Sequence, residues 1–128
     1  SAPPFGRTCE VVFLGSGATQ MPEDCFDVTS SETKSDMFFW IDAPDNVQIL
    51  VIPVDLGSNL IRTIQVNGGG REWGAATTNP AGIPGASRSG GVLTFTDVSL
   101  AELVQGGGGT TLILDGQLQE PNPGRPSP

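Results

Sequence analysis

The sequence contains no histidine, and this absence removes several classes of chemistry. Serine and cysteine hydrolases normally use histidine as their general base. Zinc, copper and haem sites that depend on imidazole ligands are excluded for the same reason. Acidic residues are plentiful, but no pair is marked out as the two facing carboxylates of a glycosidase. We therefore expect a protein that is not an enzyme and that uses no cofactor.

Positive charge is scarce as well, with six Lys and Arg residues against fourteen Asp and Glu and a net charge of -8. The six basic residues are scattered along the chain: Arg7, Lys34, Arg62, Arg71, Arg88 and Arg125. Contacts to phosphate groups need clustered basic side chains. We therefore expect no binding to nucleic acid or to anionic lipid.

Long apolar runs are also missing. No segment reaches the roughly 18 apolar residues of a membrane-spanning helix, so we expect no span. The N-terminal SAPPFGRTC is typical of a mature or a trimmed end, and either is compatible with a signal sequence that has been removed. A lipid anchor, where present, would lie outside this sequence, and we expect the protein to be a monomer.

Only two cysteines occur, Cys9 and Cys25. A pair of cysteines in a small Gly- and Pro-rich domain favours a disulfide and an exported protein. The bridge would close a loop of about 15 residues and contribute about 3 kcal/mol in the chain-entropy account. The alternative is two free, buried thiols in a cytosolic protein.

A length of 128 residues indicates one domain. We expect an N-terminal linker over residues 1–6 and a folded domain over residues 7–118. The remaining residues, 119–128 (QEPNPGRPSP), are polar and rich in proline, which predicts a flexible tail.

Short segments rich in β-branched and aromatic residues predict an all-β fold. The candidate strands are CEVVFLG (9–15), CFDVTS (25–30), DMFFWID (36–42), VQILVIPV (47–54), LIRTIQV (60–66), GVLTFTDV (91–98) and TTLILDG (110–116). Turn signals separate them at APDN (43–46), DLGSN (55–59), NGGG (67–70), RSGG (88–91) and GGGG (106–109). This spacing predicts an antiparallel β-sandwich of about seven short strands.

Two of these segments carry more detailed predictions. VQILVIPV is nearly all apolar, which indicates a strand buried on both faces. Pro53 within it belongs at a strand end or a bulge because proline has no N–H to donate. In LIRTIQV, strict alternation would put Leu60, Arg62, Ile64 and Val66 on one face.

One short helix is also predicted. Ser99 and Glu102 match the S-x-x-E capping box, and Gly106 would end the helix, which gives one helical turn near residues 99–105. In the competing interpretation the strand that contains Phe95 continues through Leu103.

The glycine-rich stretch from Gln65 to Gly85, QVNGGGREWGAATTNPAGIPG, is the least regular part of the chain. It matches neither phosphate-binding glycine motif and has no helix N-terminus behind it. Its simplest interpretation is a connecting loop. Its best site candidate is Trp73, which with Arg71 and Glu72 would bind a sugar ring or a partner. We expect the other tryptophan, Trp40, to lie in the core.

Clustered oxygens after two strands raise a calcium alternative, because Ca²⁺ takes carboxylate and carbonyl oxygens as ligands. The residues are Asp42, Asp45, Asn46, Asp55 and Asn59. They lack the spacing of a calcium loop and are also ordinary turn residues.

The order of these features resembles one known family. A Val11–Val12 strand, Gly15 and Cys25 precede an apolar middle, then IRTIQVNGGGREW and ASRSGGVLTFTDVS. This resembles the mycobacterial 19-kDa lipoprotein antigen family over about residues 11–98. The resemblance implies an exported β-rich domain that an acylated N-terminal cysteine tethers to the cell surface.

The sequence departs from that family in two places. The family's second cysteine, near its C-terminus, has no counterpart in TTLILDGQL, so Cys9 would replace it as the partner of Cys25. RTC also lacks the apolar and small residues of a lipobox, so Cys9 is not the lipidated residue.

These observations give three hypotheses for function. The first is a non-catalytic, exported cell-envelope or surface domain that binds a protein partner, as a lipoprotein antigen or adhesin does. The second is a carbohydrate-binding module with Trp73 as its stacking platform. The third, a small hydrolase or inhibitor, has no motif in its support.

Overall fold

The structure, a computed structural model, describes residues 10–20, 28–33, 36–41, 47–54, 59–106 and 109–120. Nine β-strands make up most of this part of the chain. They are β1 (Glu10–Leu14), β2 (Val28–Thr33), β3 (Asp36–Ile41), β4 (Val47–Pro53), β5 (Ile61–Gly68), β6 (Arg71–Ala76), β7 (Ala86–Ser89), β8 (Val92–Glu102) and β9 (Thr111–Gln119). A 3₁₀ turn at Ser16–Gln20 follows β1.

All nine strands belong to one antiparallel sheet. The strand order is β1-β9-β8-β6-β5-β4-β3-β2, and β7 pairs with β8 beside this path. The sheet curls into a half-barrel around the apolar side chains of its inner face. The all-β, antiparallel prediction is confirmed. We expected two stacked sheets, whereas hydrogen bonds join the described strands into one.

Glycines make two tight hairpins possible. Gly69 and Gly70 connect β5 to β6, and Gly90 and Gly91 connect β7 to β8. All four have positive φ, between 59° and 83°. Two-residue hairpin turns with positive φ at both positions match the twist of the flanking strands. The predicted turns at NGGG and RSGG are thereby confirmed.

β4 shows how the core is filled. Val47, Ile49 and Val51 are fully buried, whereas Gln48 and Leu50 are only half-buried. The prediction that this strand is buried on both faces is wrong, because its alternate residues face the outside of a single sheet.

A bulge resets the alternation between β4 and β5. Ile52 lies opposite Thr63 and Pro53 lies opposite Ile61, so Arg62 is an extra residue on β5. Ile61 and Ile64 are both fully buried as a result, and Arg62 is exposed. The strict alternation predicted for this segment is wrong at Arg62. The placement of Pro53 at a strand end and a bulge is confirmed.

The helical turn predicted near residues 99–105 is wrong, because β8 continues to Glu102. Ser99 pairs with Ile113 of β9 and Leu100 pairs with Leu112. Leu100 is buried and Ser99 is exposed, which is the two-residue repeat of a strand. The ladder to β9 therefore prevails over the local capping signal.

A second bulge lies within β8. Phe95 pairs with Gly116 and Val98 pairs with Leu114, so two residues of β8 stand opposite Asp115. One of them, Asp97, has a left-handed backbone (φ 49°), and its N–H donates to Asp115 Oδ1 at 3.2 Å. This bulge keeps Phe95 and Val98 on the buried face.

The end of β9 is attached by an ion pair. Arg88 Nη2 lies 2.8 Å from Glu120 Oε1, and Arg88 Nε lies 3.2 Å from Glu120 Oε2. The backbone N–H of Glu120 donates to the carbonyl of Gly91 at 2.9 Å. These contacts hold Glu120 against the β7–β8 hairpin.

We predict that Gly85→Ala destabilises the protein more than Gly70→Ala. Both glycines have left-handed backbones, at φ 84° and 79°, which cost an alanine about 1–2 kcal/mol. A Cβ at Gly85 would also collide with the carbonyl oxygen of Thr96, whereas one at Gly70 would meet open space. Overpacking adds about 1–3 kcal/mol to the cost. Urea denaturation measures both variants, and equal losses of stability would contradict this account.

Candidate ligand-binding face

The outer face of the sheet carries a row of four side chains from four neighbouring strands. Trp40 pairs with Gln48, Gln48 with Asn67, and Asn67 with Glu72. Residues directly opposite each other on paired strands share a face of the sheet. We call these four residues the outer row. Each follows or precedes buried core residues in its own strand, so the core fixes the direction of the row.

A second row runs beside the first. It consists of Phe38, Leu50, Gln65 and Gly74, which are paired in the same order across β3 to β6. The Phe38 ring stacks on the Trp40 ring, with centroids 6.0 Å apart and planes 20° from parallel. Trp40 is 39% exposed. The β3 end of this face therefore presents an accessible aromatic surface.

Side-chain amides occupy the middle of the face. Gln65 Nε2 donates to Asn67 Oδ1 at 3.3 Å and also donates to Glu72 Oε2. The side-chain amide of Gln48 makes no hydrogen bond within the part of the chain that the structure describes. Donors and acceptors of the outer row are thus available to a ligand.

A shallow depression of about 510 Å³ lies at the β5–β6 hairpin. Its lining consists of Gln48, Asn67, Gly68, Gly69, Gly70, Arg71 and Glu72. The three glycines contribute backbone and no side chains, which leaves the space open. The depression and the outer row share three residues, so they form one continuous surface that includes Trp40.

A partly buried hydrogen-bond network holds Arg71 at the edge of this depression. Arg71 Nη1 lies 3.4 Å from Glu102 Oε1, and the Glu102 side chain is only 9% exposed. The same carboxylate oxygen accepts hydrogen bonds from Thr110 N at 2.9 Å and Thr110 Oγ1 at 2.8 Å. Thr110 Oγ1 accepts in turn from Trp73 Nε1 at 3.0 Å.

These contacts act on the charge of Glu102. The backbone and side-chain hydrogen bonds from Thr110 lower the pKa of the Glu102 carboxyl below its ordinary value, and Arg71 lowers it further. Partial burial opposes them without cancelling the effect. Glu102 is therefore a carboxylate at neutral pH and keeps Arg71 in place.

Trp73 lies in the core and not in an exposed loop, so the prediction of its position is wrong. It is fully buried in β6, where it pairs with Glu102 of β8. Gly17 of the 3₁₀ turn covers the indole, since a Cβ there would lie 2.7 Å from Trp73 Nε1. A ring enclosed in this way cannot stack on a sugar in this conformation.

The prediction for Trp40 is wrong in the opposite direction. The sequence predicts that Trp40 lies in the core, whereas it lies on the outer face. Phe39 and Ile41 point inward and are fully buried, so the residue between them points outward. Three consecutive aromatic residues do not reveal which of them faces the core.

Two of the three predicted binding residues, Arg71 and Glu72, do line the depression. Gln48 and Asn67 were missed by the sequence analysis. The signal for Gln48 was its position between Val47 and Ile49, which point inward. For Asn67 the signal was its place just before the glycine turn.

Other predicted features fall outside the described residues. Cys9 and Cys25, and with them the predicted disulfide, lie there. So do Asp42, Asp45, Asn46 and Asp55 of the calcium alternative. Within the described part of the chain, no group of three or more His, Cys, Asp or Glu residues is placed to hold a metal ion.

Comparison of the chain with protein families, with curated proteins and with solved structures finds no match. The resemblance to the lipoprotein antigen family therefore stays a prediction. Of the residues described, none belongs to a helix long and apolar enough to cross a membrane.

We predict that Trp73→Ala lowers the free energy of unfolding by about 3–5 kcal/mol, as for other buried aromatic residues. The matched variant Trp40→Ala should cost about 1 kcal/mol or less, because the ring is accessible to water. Chemical denaturation of both variants tests the assignment. A larger loss for Trp40→Ala would reverse it.

We also predict a pH dependence that Glu102 causes. Its lowered pKa stabilises the folded protein above the ordinary carboxyl value of 4.5, and this contribution is lost as the pH falls through the lower folded-state value. The stability difference between wild type and Glu102→Gln should therefore shrink from about pH 6 to about pH 3. Urea denaturation across that range measures it, and a constant difference would contradict the assignment.

Proposed function

We propose that this chain is a non-catalytic, exported binding domain that takes a carbohydrate on the outer face of β3 to β6. The observation that carries the proposal is the outer row itself. An accessible tryptophan, two side-chain amides and a carboxylate lie in line across four strands.

The chemistry of the row is complementary to a sugar. The faces of a pyranose ring carry C–H groups that pack on an aromatic ring, and its edge carries hydroxyl groups. Trp40 supplies the apolar surface, with Phe38 stacked against it. Gln48, Asn67 and Glu72 supply donors and acceptors for the hydroxyl groups. Ligand sites commonly combine an apolar surface with a few placed polar groups.

Trp40 replaces Trp73 as the stacking residue, and Glu72 is the predicted binding residue that belongs to the outer row. The absence of histidine supports a role in binding without catalysis. Export rests on the composition of the sequence and on its predicted disulfide.

Binding should depend on Trp40. A panel of oligosaccharides is first screened for a glycan that binds the wild type. We expect Trp40→Ala to weaken the binding of that glycan about tenfold, which corresponds to about 1.4 kcal/mol. Isothermal titration calorimetry measures the change. In the wild type, glycan binding should alter the fluorescence of Trp40, since Trp73 is buried.

Leu14→Ala provides the matched control. Leu14 is an exposed apolar residue, 44% accessible, on β1 at the far end of the sheet. Its replacement should leave glycan binding unchanged. Equal effects of Trp40→Ala and Leu14→Ala would remove the outer row as the binding site.

A protein partner is the second candidate, and a different surface favours it. Within the described residues β1 pairs only with β9, and its Val12 and Leu14 are 52% and 44% exposed. Free strand edges with apolar side chains accept extended segments of other proteins. Failure of every glycan to bind would favour this candidate over the first.

A further inference from the structure

We infer that the ligand of the outer row is an uncharged, linear glycan that binds along its length, across strands β3 to β6. The inference rests on the proposed function, because it specifies which class of glycan the face takes. It excludes two other classes, namely single terminal sugars and polyanionic chains.

The length of the row favours a chain over a single sugar. Trp40 and Glu72 are three strand spacings apart, about 14 Å. A pyranose ring in an extended chain is about as long as one strand spacing, so about three rings cover the row. One sugar that stacks on Trp40 cannot also contact Glu72.

The polar groups are spaced to follow a chain. Gln48, Asn67 and Glu72 occur once on each successive strand, β4, β5 and β6. Each therefore stands close to a different ring of a ligand that crosses the strands. The depression at the hairpin takes the far end of the chain, since Gly68 to Gly70 leave it open.

The second row adds apolar surface to the ligand site. Phe38 and Leu50 lie beside Trp40 and Gln48, and both are half-buried. Toward β6 the second row ends in Gly74, beside which the exposed side chain of Leu103 lies. The face therefore combines apolar patches with a line of polar groups, which suits a glycan that has C–H faces and hydroxyl edges.

Charge argues against an acidic glycan. The chain carries a net charge of -8, and Glu72 adds a carboxylate at the site itself. Of the described residues that line the depression, Arg71 alone is positively charged, and it is paired with Glu102. A polyanionic chain would need several unpaired cations along its path.

The test is a length series. Isothermal titration calorimetry would use neutral linear oligomers of glucose, xylose, mannose and galactose, from the monosaccharide to the hexasaccharide. We expect affinity for the preferred sugar to rise at least about tenfold between one ring and about three, and then to level off. A uronic acid hexasaccharide should bind at least about tenfold more weakly than the best neutral hexasaccharide.

Two variants test where the glycan lies on the outer face of the sheet. Glu72→Ala should reduce the gain from chain length and leave binding of the monosaccharide unchanged, because Glu72 contacts only the far end. Trp40→Ala should weaken binding at every length. Gln117 is an exposed polar residue on β9, and Gln117→Ala is the control. It should change neither the binding of the monosaccharide nor the gain in affinity with glycan length. Thermal denaturation checks that each variant is folded.

The outcomes separate this inference from the proposed function. A monosaccharide that binds as tightly as the hexasaccharide, or a uronic acid chain that binds more tightly, would overturn the inference and leave a carbohydrate-binding domain. If no oligomer of any kind binds, both proposals fail.

Discussion

The two-residue repeat of the β-strand decides which side chains of the described strands face the core. Because a single curled sheet has one inner face, each strand can contribute only alternate residues to the core. β4 shows this most clearly, with Val47 and Ile49 inside and Gln48 between them outside. The residues left outside are those that a ligand can reach. The same alternation of residues along each strand therefore produces both the core and the candidate binding face.

The bulges at Arg62 and Asp97 are the places where this pattern is reset. Each inserts one extra residue, so that apolar residues on both sides of it point inward. A slip of one residue without a bulge would turn a whole strand inside out. The bulge at Arg62 precedes Gln65 and Asn67 on β5, and so it also sets which residues of that strand face the ligand. Packing of the core thereby determines the composition of the site.

The contact between β6 and β8 connects the core to the binding face. Only two residue pairs, Trp73 with Glu102 and Gly74 with Ala101, join these strands within the described sheet. The network from Trp73 through Thr110 to Glu102 reinforces this narrow ladder and ends on Arg71 at the depression. Thr110 thus connects the buried indole to the carboxylate that pairs with the exposed guanidinium of Arg71.

Some of this could be read from the sequence. The two glycine turns and the position of Pro53 followed from the chemistry of glycine and proline, which acts locally. The strands of β3, β4, β5, β8 and β9 followed from their β-branched and aromatic residues. REWGAA contains one aromatic residue and no β-branched residue, so the sequence predicts a connecting loop where the structure has β6.

The inward or outward direction of the two tryptophans was decided only by tertiary structure. In MFFW every residue suits a core, so only the register with β4 shows that Trp40 points outward. Trp73 is buried because Gly17 and Thr110, which are distant in sequence, close over it. Local composition determined the all-β class of the fold, the positions of the two glycine turns and the negative net charge. The outer row exists only because strand pairing aligns single residues from four strands, and no local pattern encodes that alignment.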